Sequence, residues 1–327
     1  MVFEFAAHSN FNFLTSFAEQ FNAQVLEDTL IIPASMGEGS IKKVELGPNF
    51  KLLIHRYTFK EDFVLKRMAP EQWHDQTTII FYSSTLSSHL LSNPERAQFY
   101  CKNYTKSAIE ISSADLNSEI RFPANTEIYF TVIGVKSATL IETLQVEKPH
   151  HLLESIRNSH TYLYYETMWL EVEKVLKQLC NINAQHELSH FHYKIKIQEL
   201  LYLLFSKLLK RENEPVANIN KADIEKIFAV RNLMLADLSA PPQLSTLAKT
   251  NNLSETKMKQ LFKQVFGDSI YNYYQKARME EAAFLLKQAS FSVSDVGYEL
   301  GFSNLSHFSR LFQRHYGITP KKYTVAG

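Results

Sequence analysis

No run in this 327-residue sequence approaches the roughly 18 consecutive apolar residues of a membrane-spanning helix, although 45% of the chain is hydrophobic. That absence excludes a helical membrane protein and predicts a chain that folds in water. Cysteine is almost missing. The two present, Cys101 and Cys180, lack the close spacing of a zinc knuckle or a redox pair, so buried free thiols are expected. The opening MVFEFAAHSNFNF has neither a basic leader nor an unbroken apolar segment, which predicts no signal or transit peptide and a cytoplasmic protein. Glycine is sparse as well, with 9 in all and none from Pro149 to Phe266.

An excess of charge is also missing. With 35 Lys and Arg against 34 Asp and Glu the formal net charge is +1, which argues against a polybasic binder. The average conceals an asymmetry: Pro241 to Gly327 hold 11 basic and 6 acidic residues, a balance of +5, whereas the first 240 residues hold 24 and 28, a balance of −4. A basic last quarter suits a polyanionic partner, and a solvated basic face gives the same count.

The length is about twice that of a typical domain, so two or three packed units are expected. Short β-type runs fill the first part: Ile41 to Leu46, Lys51 to Phe59, Thr78 to Tyr82 and Ile128 to Val135. The stretches PASMGEGS, LGPN and FPANTE punctuate them with turn residues, which predicts a β sandwich or barrel over residues 1–148. Beyond Pro149, apolar residues recur at spacings of three and four. Helices are predicted over His150 to Cys180, Leu188 to Arg211 and Lys221 to Leu238. The polar stretch RENEPVANIN and the prolines of SAPPQ break the pattern. The expected organisation is α+β: a β-rich domain over 1–148, a helical region over 149–220 that links or dimerises, and an all-α domain over 221–327.

That last domain contains a repeat. In NLSETKMKQLFKQVFG, Met258, Leu261, Phe262, Val265 and Phe266 make one apolar helical stripe, with Ser254 as N-cap and Gly267 as stop. In FSNLSHFSRLFQRHYG the stripe is Leu305, Phe308, Leu311, Phe312 and Tyr316. The outward face of the first collects Thr256, Lys259, Gln260 and Lys263; that of the second collects Ser306, Ser309, Arg310, Gln313 and Arg314. Both are rich in hydrogen-bond donors. Arg and Gln pair with guanine and adenine edges, whereas Lys, Ser and Thr suit phosphates or single base contacts. A short amphipathic helix and a turn precede each stripe, LSTLAKTNN and VSDVGYELG, which predicts two helix-turn-helix motifs. Between them SIYNYYQKARMEEAAFLLKQ reads as one long linker helix of about 30 Å, near the roughly 34 Å repeat of the major groove along one side of DNA.

The second motif and its tail, SVSDVGYELGFSNLSHFSRLFQRHYGITPKKY, together with KARMEEAAFLL in the linker, resemble the AraC/XylS family of bacterial transcription regulators over residues 225 to 323. The resemblance implies that Thr256, Lys259, Gln260, Lys263, Ser306, Ser309, Arg310 and Gln313 face double-stranded DNA. It also implies a cupin-like N-terminal sensor that binds a small-molecule effector or forms a homodimer, RNA polymerase as partner of an activator, and neither catalysis nor a cofactor. MGEGSIKKVELGPNFKLLIHRYTF and RFPANTEIYF resemble the sensors of siderophore-responsive members. Departures from the family pattern are Asn252 for the usual Gly, Gly297 for Ala, and Thr324 where Arg is common after the tyrosine.

Arg56, Tyr57 and Trp73 are the ligand-binding candidates in the N-terminal domain, with Lys66 and Arg67 as further cations. Its aromatics, Phe11, Phe13, Phe17, Phe21, Phe59 and Tyr82 among them, line a pocket or fill a core. A metal-dependent cupin enzyme is the alternative reading. His55, His74 and His89 lack the clustered His-x-His pattern such an enzyme needs, and HELSHFH, with His186, His190 and His192, lacks a further ligand.

Overall fold

A computed structural model describes residues 1–6, 11–47, 49–70, 75–85, 107–211, 219–288 and 291–325. It divides into two compact units, Met1–Lys221 and Ala222–Gly327.

In the first unit the strands are β1 (Val2–Ala6), β2 (Gln24–Leu26), β3 (Thr29–Ile31), β4 (Gly37–Gly47), β5 (Phe50–Phe59), β6 (Phe63–Met68), β7 (Gln76–Thr85), β8 (Ser107–Ser113), β9 (Ser118–Phe122), β10 (Glu127–Lys136) and β11 (Leu163–Thr167). They form an eight-stranded sheet in the order β11-β8-β7-β10-β5-β4-β3-β2 and a three-stranded sheet β1-β6-β9. The four runs expected from the sequence lie inside β4, β5, β7 and β10, each extended at one end or both.

Alternation along these strands gives the large sheet two apolar faces. Leu52, Ile54, Ile79, Phe81, Ile133 and Val135 point to one side and share a core with helices. Tyr57, Phe59, Ile80, Tyr82, Ile128 and Phe130 point to the other. There they meet Phe3, Phe63, Leu65 and Phe122 from the small sheet and Phe13, Leu14 and Phe17 from α1 (Phe13–Phe21).

The helices of the first face are α2 (Ser137–Leu144), α3 (His151–Arg157), α4 (Leu170–Cys180) and α5 (Ser189–Leu208). The stretch His150 to Cys180, read from its spacing as a single helix, is instead α3, β11 and α4. Ser159, at φ 50°, leaves the helical region. Tyr162, Leu163, Tyr164 and Tyr165 are all buried, and β11 adds to the sheet edge at β8. A continuous apolar run does not by itself distinguish a buried strand from a buried helix. Leu152, Val172, Leu176, Leu200 and Leu204 pack in the same core as Leu52, Phe81 and Ile133, so this helical region and the sheet are built around one interior. Cys180 is a free thiol whose pKa burial pushes up to about 12. Cys101 lies outside the described residues.

The second unit is helical: α6 (Lys221–Ala236), α7 (Leu244–Thr250), α8 (Glu255–Phe266), α9 (Ile270–Leu286), α10 (Val293–Glu299), α11 (Leu305–Tyr316) and α12 (Pro320–Val325).

Candidate nucleic-acid interface

The first reader is α7, a turn, and α8. Asn252 takes the left-handed conformation at φ 51°, and the Leu253 amide donates to the Ala248 carbonyl at 2.9 Å, closing the turn. The Asn251 side chain donates to Leu247 O at 2.8 Å. Ser254 caps α8 by accepting from the Lys257 amide at 3.2 Å, and Gly267 at φ 73° ends it. The expected apolar stripe from Met258 to Phe266 is buried, leaving Thr256, Lys259, Gln260 and Lys263 exposed.

In the second reader α10 opens with a capping box between Ser292 and Asp295. The hydrogen bonds to Ser292 hold the Asp295 carboxyl below its usual pKa. Gly301 is left-handed at φ 71°, and the Phe302 amide donates to the Gly297 carbonyl at 2.9 Å, the same closure as in the first turn. A Cβ on Gly301 would stand 1.7 Å from the backbone oxygen of Ser239, so the position has room for hydrogen only. Asn304 caps α11, and Gly317 ends it at φ 76°. Phe308 and Phe312 are buried, with Leu305, Leu311 and Tyr316 half-buried beside them. Ser306, Arg310, Gln313 and Arg314 are exposed, whereas Ser309 is half-buried on the flank of the stripe.

Matching the two N-caps, Ser254 and Asn304, pairs Thr256 with Ser306, Gln260 with Arg310 and Lys263 with Gln313. From the left-handed residue to the cap takes two residues in the first copy and three in the second, so the length difference lies in the turn. The position after Thr256 and Ser306 diverges. Lys257 is tied to the buried carboxylate of Asp223 on α6 at 2.8 Å, while its counterpart His307 is exposed. Within α8 itself, Lys259 pairs with Glu255 at 3.2 Å.

The linker α9 has 17 residues and is about 26 Å long at 1.5 Å per residue. Its Met279, Ala282, Ala283 and Leu286 join Val296, Leu300, Phe302, Phe308 and Phe312 in the second core. Arg278, only 4% exposed, donates to the carbonyl of Leu300 and lies 3.8 Å from the centre of the Phe302 ring. Near its other end Tyr273 accepts from Arg231 of α6 at 2.8 Å, and Tyr274 donates to Leu238 O at 2.9 Å. The tail closes the second core, with Tyr323 of α12 5.3 Å from the ring of Phe312. Sequence reasoning missed the part of Arg278 and the Asp223–Lys257 pair, because periodicity marks both positions only as polar.

The ligand candidates of the first unit are not brought together. Arg56 and Tyr57 are neighbours on β5 and therefore point to opposite faces. Arg56 is exposed, donating to Asn181 Oδ1 at 3.2 Å and pairing with Glu127 at 3.5 Å. Tyr57 is buried among Phe59, Phe122 and His55. Trp73, His74 and His89 lie outside the described residues. Lys66 pairs with Glu119 at 3.4 Å. Arg67 is not a surface charge: it reaches inward, donating to Thr78 Oγ1 at 2.7 Å, Ser112 Oγ at 3.3 Å and Leu116 O at 3.1 Å. Phe13 and Phe17 are core residues, with Phe11 and Phe21 packed beside them. His55 is 1% exposed, its two ring nitrogens have no hydrogen-bond partner among the described residues, and burial lowers its pKa to about 3. Among the described residues no group of three or more His, Cys, Asp or Glu converges as a metal site, and His186, His190 and His192 are exposed.

Two capped helix-turn-helix motifs on one linker helix, each turning a donor-rich face outward, define the second unit as a paired helix-turn-helix domain. Residues 247–325 match the family model described as a helix-turn-helix domain, and this domain is of the AraC/XylS type. The dual transcriptional regulator Rns of Escherichia coli is 34% identical over 159 residues, 48% of this chain and 56% of that protein. The transcriptional activator RhaR of Yersinia pseudotuberculosis is 28% identical over 154 residues, 47% of this chain and 52% of that protein. The chain thus spans about half the length of the curated relatives it matches. Among solved structures, an AraC-type regulator from Chromobacterium violaceum is 31% identical, covering 32% of this chain and 95% of that one with a TM-score of 0.30. No helix among the described residues is long and apolar enough to cross a membrane.

Proposed function

We propose that the chain is a sequence-specific DNA-binding transcriptional regulator whose C-terminal unit reads two successive major-groove segments and whose N-terminal, cupin-like unit responds to a small-molecule effector of the siderophore class. The observation that carries the reading is the pair of exposed faces, Thr256/Lys259/Gln260/Lys263 and Ser306/Arg310/Gln313, each backed by its own buried stripe. Lysine and arginine contacts supply salt-sensitive affinity, and Gln260, Arg310 and Gln313 supply base readout. Relatives named as activators support RNA polymerase as the partner at the promoter, and a homodimer is part of the same reading.

Genome-wide mapping of bound sites tests the proposal. A recurrent motif with two half-sites about one helical turn apart is expected. Occupancy indistinguishable from random genomic sequence would refute it. Arg310→Ala in the same mapping assigns one half-site to α11, because only that half should lose its base preference.

A further inference from the structure

On the helical side of the first unit an open cleft of about 350 Å³ lies between the start of α4 and the end of α5, lined by Trp169, Leu203, Ser206, Lys207 and Lys210. Trp169 is the N-cap residue of α4. Leu203, Ser206 and Lys207 are spaced by three and four along α5, and Lys210 follows one turn further, so the four share one side. The volume suits a molecule of roughly one or two rings.

The walls of the cleft are fixed from behind. Trp169 and Leu203 are half-buried and pack on the same core as Leu176, Leu200 and Leu204. Lys207 is held twice, its Nζ 4.2 Å from the centre of the Trp169 ring and 2.7 Å from Glu166 Oε2. A cation already in place costs less to order when a ligand arrives.

Charge in and beside the cleft is unbalanced. Glu166 is shared between two cations: Oε1 accepts from Arg211 Nε at 3.1 Å and Nη2 at 2.8 Å, and Oε2 faces Lys207. One carboxylate cannot neutralise both. Lys210 is exposed, and among the described residues its ammonium has no ion-pair partner. None of the five lining residues is acidic. Two ammonium groups thus stand beside a small, rigid apolar surface, which attracts an anion and gives its carbon skeleton a place to lie.

We infer that this cleft binds a small aromatic anion, with Lys207 and Lys210 at the charged end and Trp169 and Leu203 against the ring. Such a site lies on the helical side of the large sheet, across from the aromatic core on its other face. It stands whether or not the effector proposed above is correct.

Isothermal titration calorimetry of the full chain with 2-naphthoate tests the assignment. Saturable binding is expected, weakened about tenfold or more by Lys210→Gln and further when Lys207→Gln is added. Because Lys210 is an exposed side chain, its removal leaves the fold intact, and the melting temperature of each variant checks this. The neutral 2-naphthalenemethanol and the ringless acetate should each bind at least about tenfold more weakly, one lacking the charge and the other the ring. No saturable binding of 2-naphthoate to the native protein overturns the inference. Binding indifferent to both lysine changes also overturns it, since the probe then sits elsewhere, as does equal binding of the neutral analogue. Fluorescence anisotropy on a labelled random-sequence duplex covers the remaining occupant. Unchanged DNA affinity in Lys210→Gln is expected; a loss of DNA affinity, with the duplex displacing 2-naphthoate, would assign the two cations to the phosphate backbone and overturn the small-molecule site.

Discussion

Arg278 on the linker helix α9 stacks 3.8 Å from the Phe302 ring while donating to the carbonyl of Leu300, the C-cap residue of α10. One side chain thus satisfies a helix end and seats the turn that aims α11. A desolvated cation–π contact contributes about 2 kcal/mol, and a hydrogen bond from a charged donor a similar amount. Arg278→Ala is therefore expected to destabilise the protein by about 3 kcal/mol in urea unfolding. Arg278→Lys should recover little, since an ammonium neither stacks as a plane nor forks. A loss below about 1 kcal/mol for the alanine variant would show that the contact is not structural.

Gly301→Ala should be more damaging than its size suggests. A left-handed non-glycine residue costs about 1 to 3 kcal/mol. Here the new Cβ also stands 1.7 Å from Ser239 O, a backbone atom that cannot rotate away. Thermal melting should report a fall in stability beyond that of Asn252→Ala, because Asn252 holds the equivalent left-handed turn in the first copy already bearing a Cβ.

On DNA, Arg310→Ala should cost about 1 to 3 kcal/mol and relax the preference at one base position. Lys263→Ala should lower affinity evenly across sequences and reduce the salt slope by about one. Anisotropy titrations on operator and scrambled duplexes at several salt concentrations separate the two. A Lys263→Ala slope equal to that of the native protein removes this residue from the phosphate-contacting set.

Glu255 occupies the first turn of α8 and holds Lys259 at 3.2 Å. The carboxylate competes with phosphate for the same ammonium. Glu255→Gln should therefore tighten DNA binding, with the gain fading as salt screens both interactions. Unchanged or weaker binding at low salt would mean that Lys259 is not engaged by DNA.

His55 makes the N-terminal unit sensitive to acid. The unfolded chain takes up a proton on this ring near pH 6.5, whereas the buried ring resists until about pH 3. The folded state binds fewer protons between those values, so stability falls as pH falls, approaching about 1.4 kcal/mol per pH unit for one group. Urea unfolding at pH 7 and pH 5 should show a larger loss for the native protein than for His55→Leu. Equal losses would place the acid sensitivity elsewhere.

The C-terminal unit was the more legible half in sequence, for a physical reason. Each of its short helices has one buried face, so period, cap and stop coincide in Ser254 to Gly267 and in Asn304 to Gly317. The burial of Arg278 was not legible, since a polar letter does not reveal whether its neighbours are Tyr274 and Phe302 or water. In the N-terminal unit the strands showed, but β11 was hidden. TYLYYET is covered on both faces and so lacks the alternation that would separate it from the helices around it. Arg56 and Tyr57, adjacent in sequence, suggested one site; strand geometry places them on opposite faces.

The extra residue in the second turn, between Gly301 and Asn304, has a consequence for orientation along the genome. Because the two turns differ in length, α8 and α11 are not interchangeable, and exchanging their outward residues does not recreate the same protein with its half-sites swapped. Under the proposed reading a single subunit therefore has a heading on DNA. Inverting its site reverses which end of the molecule faces the transcription start, and a promoter can use that direction as information separate from the affinity of the site.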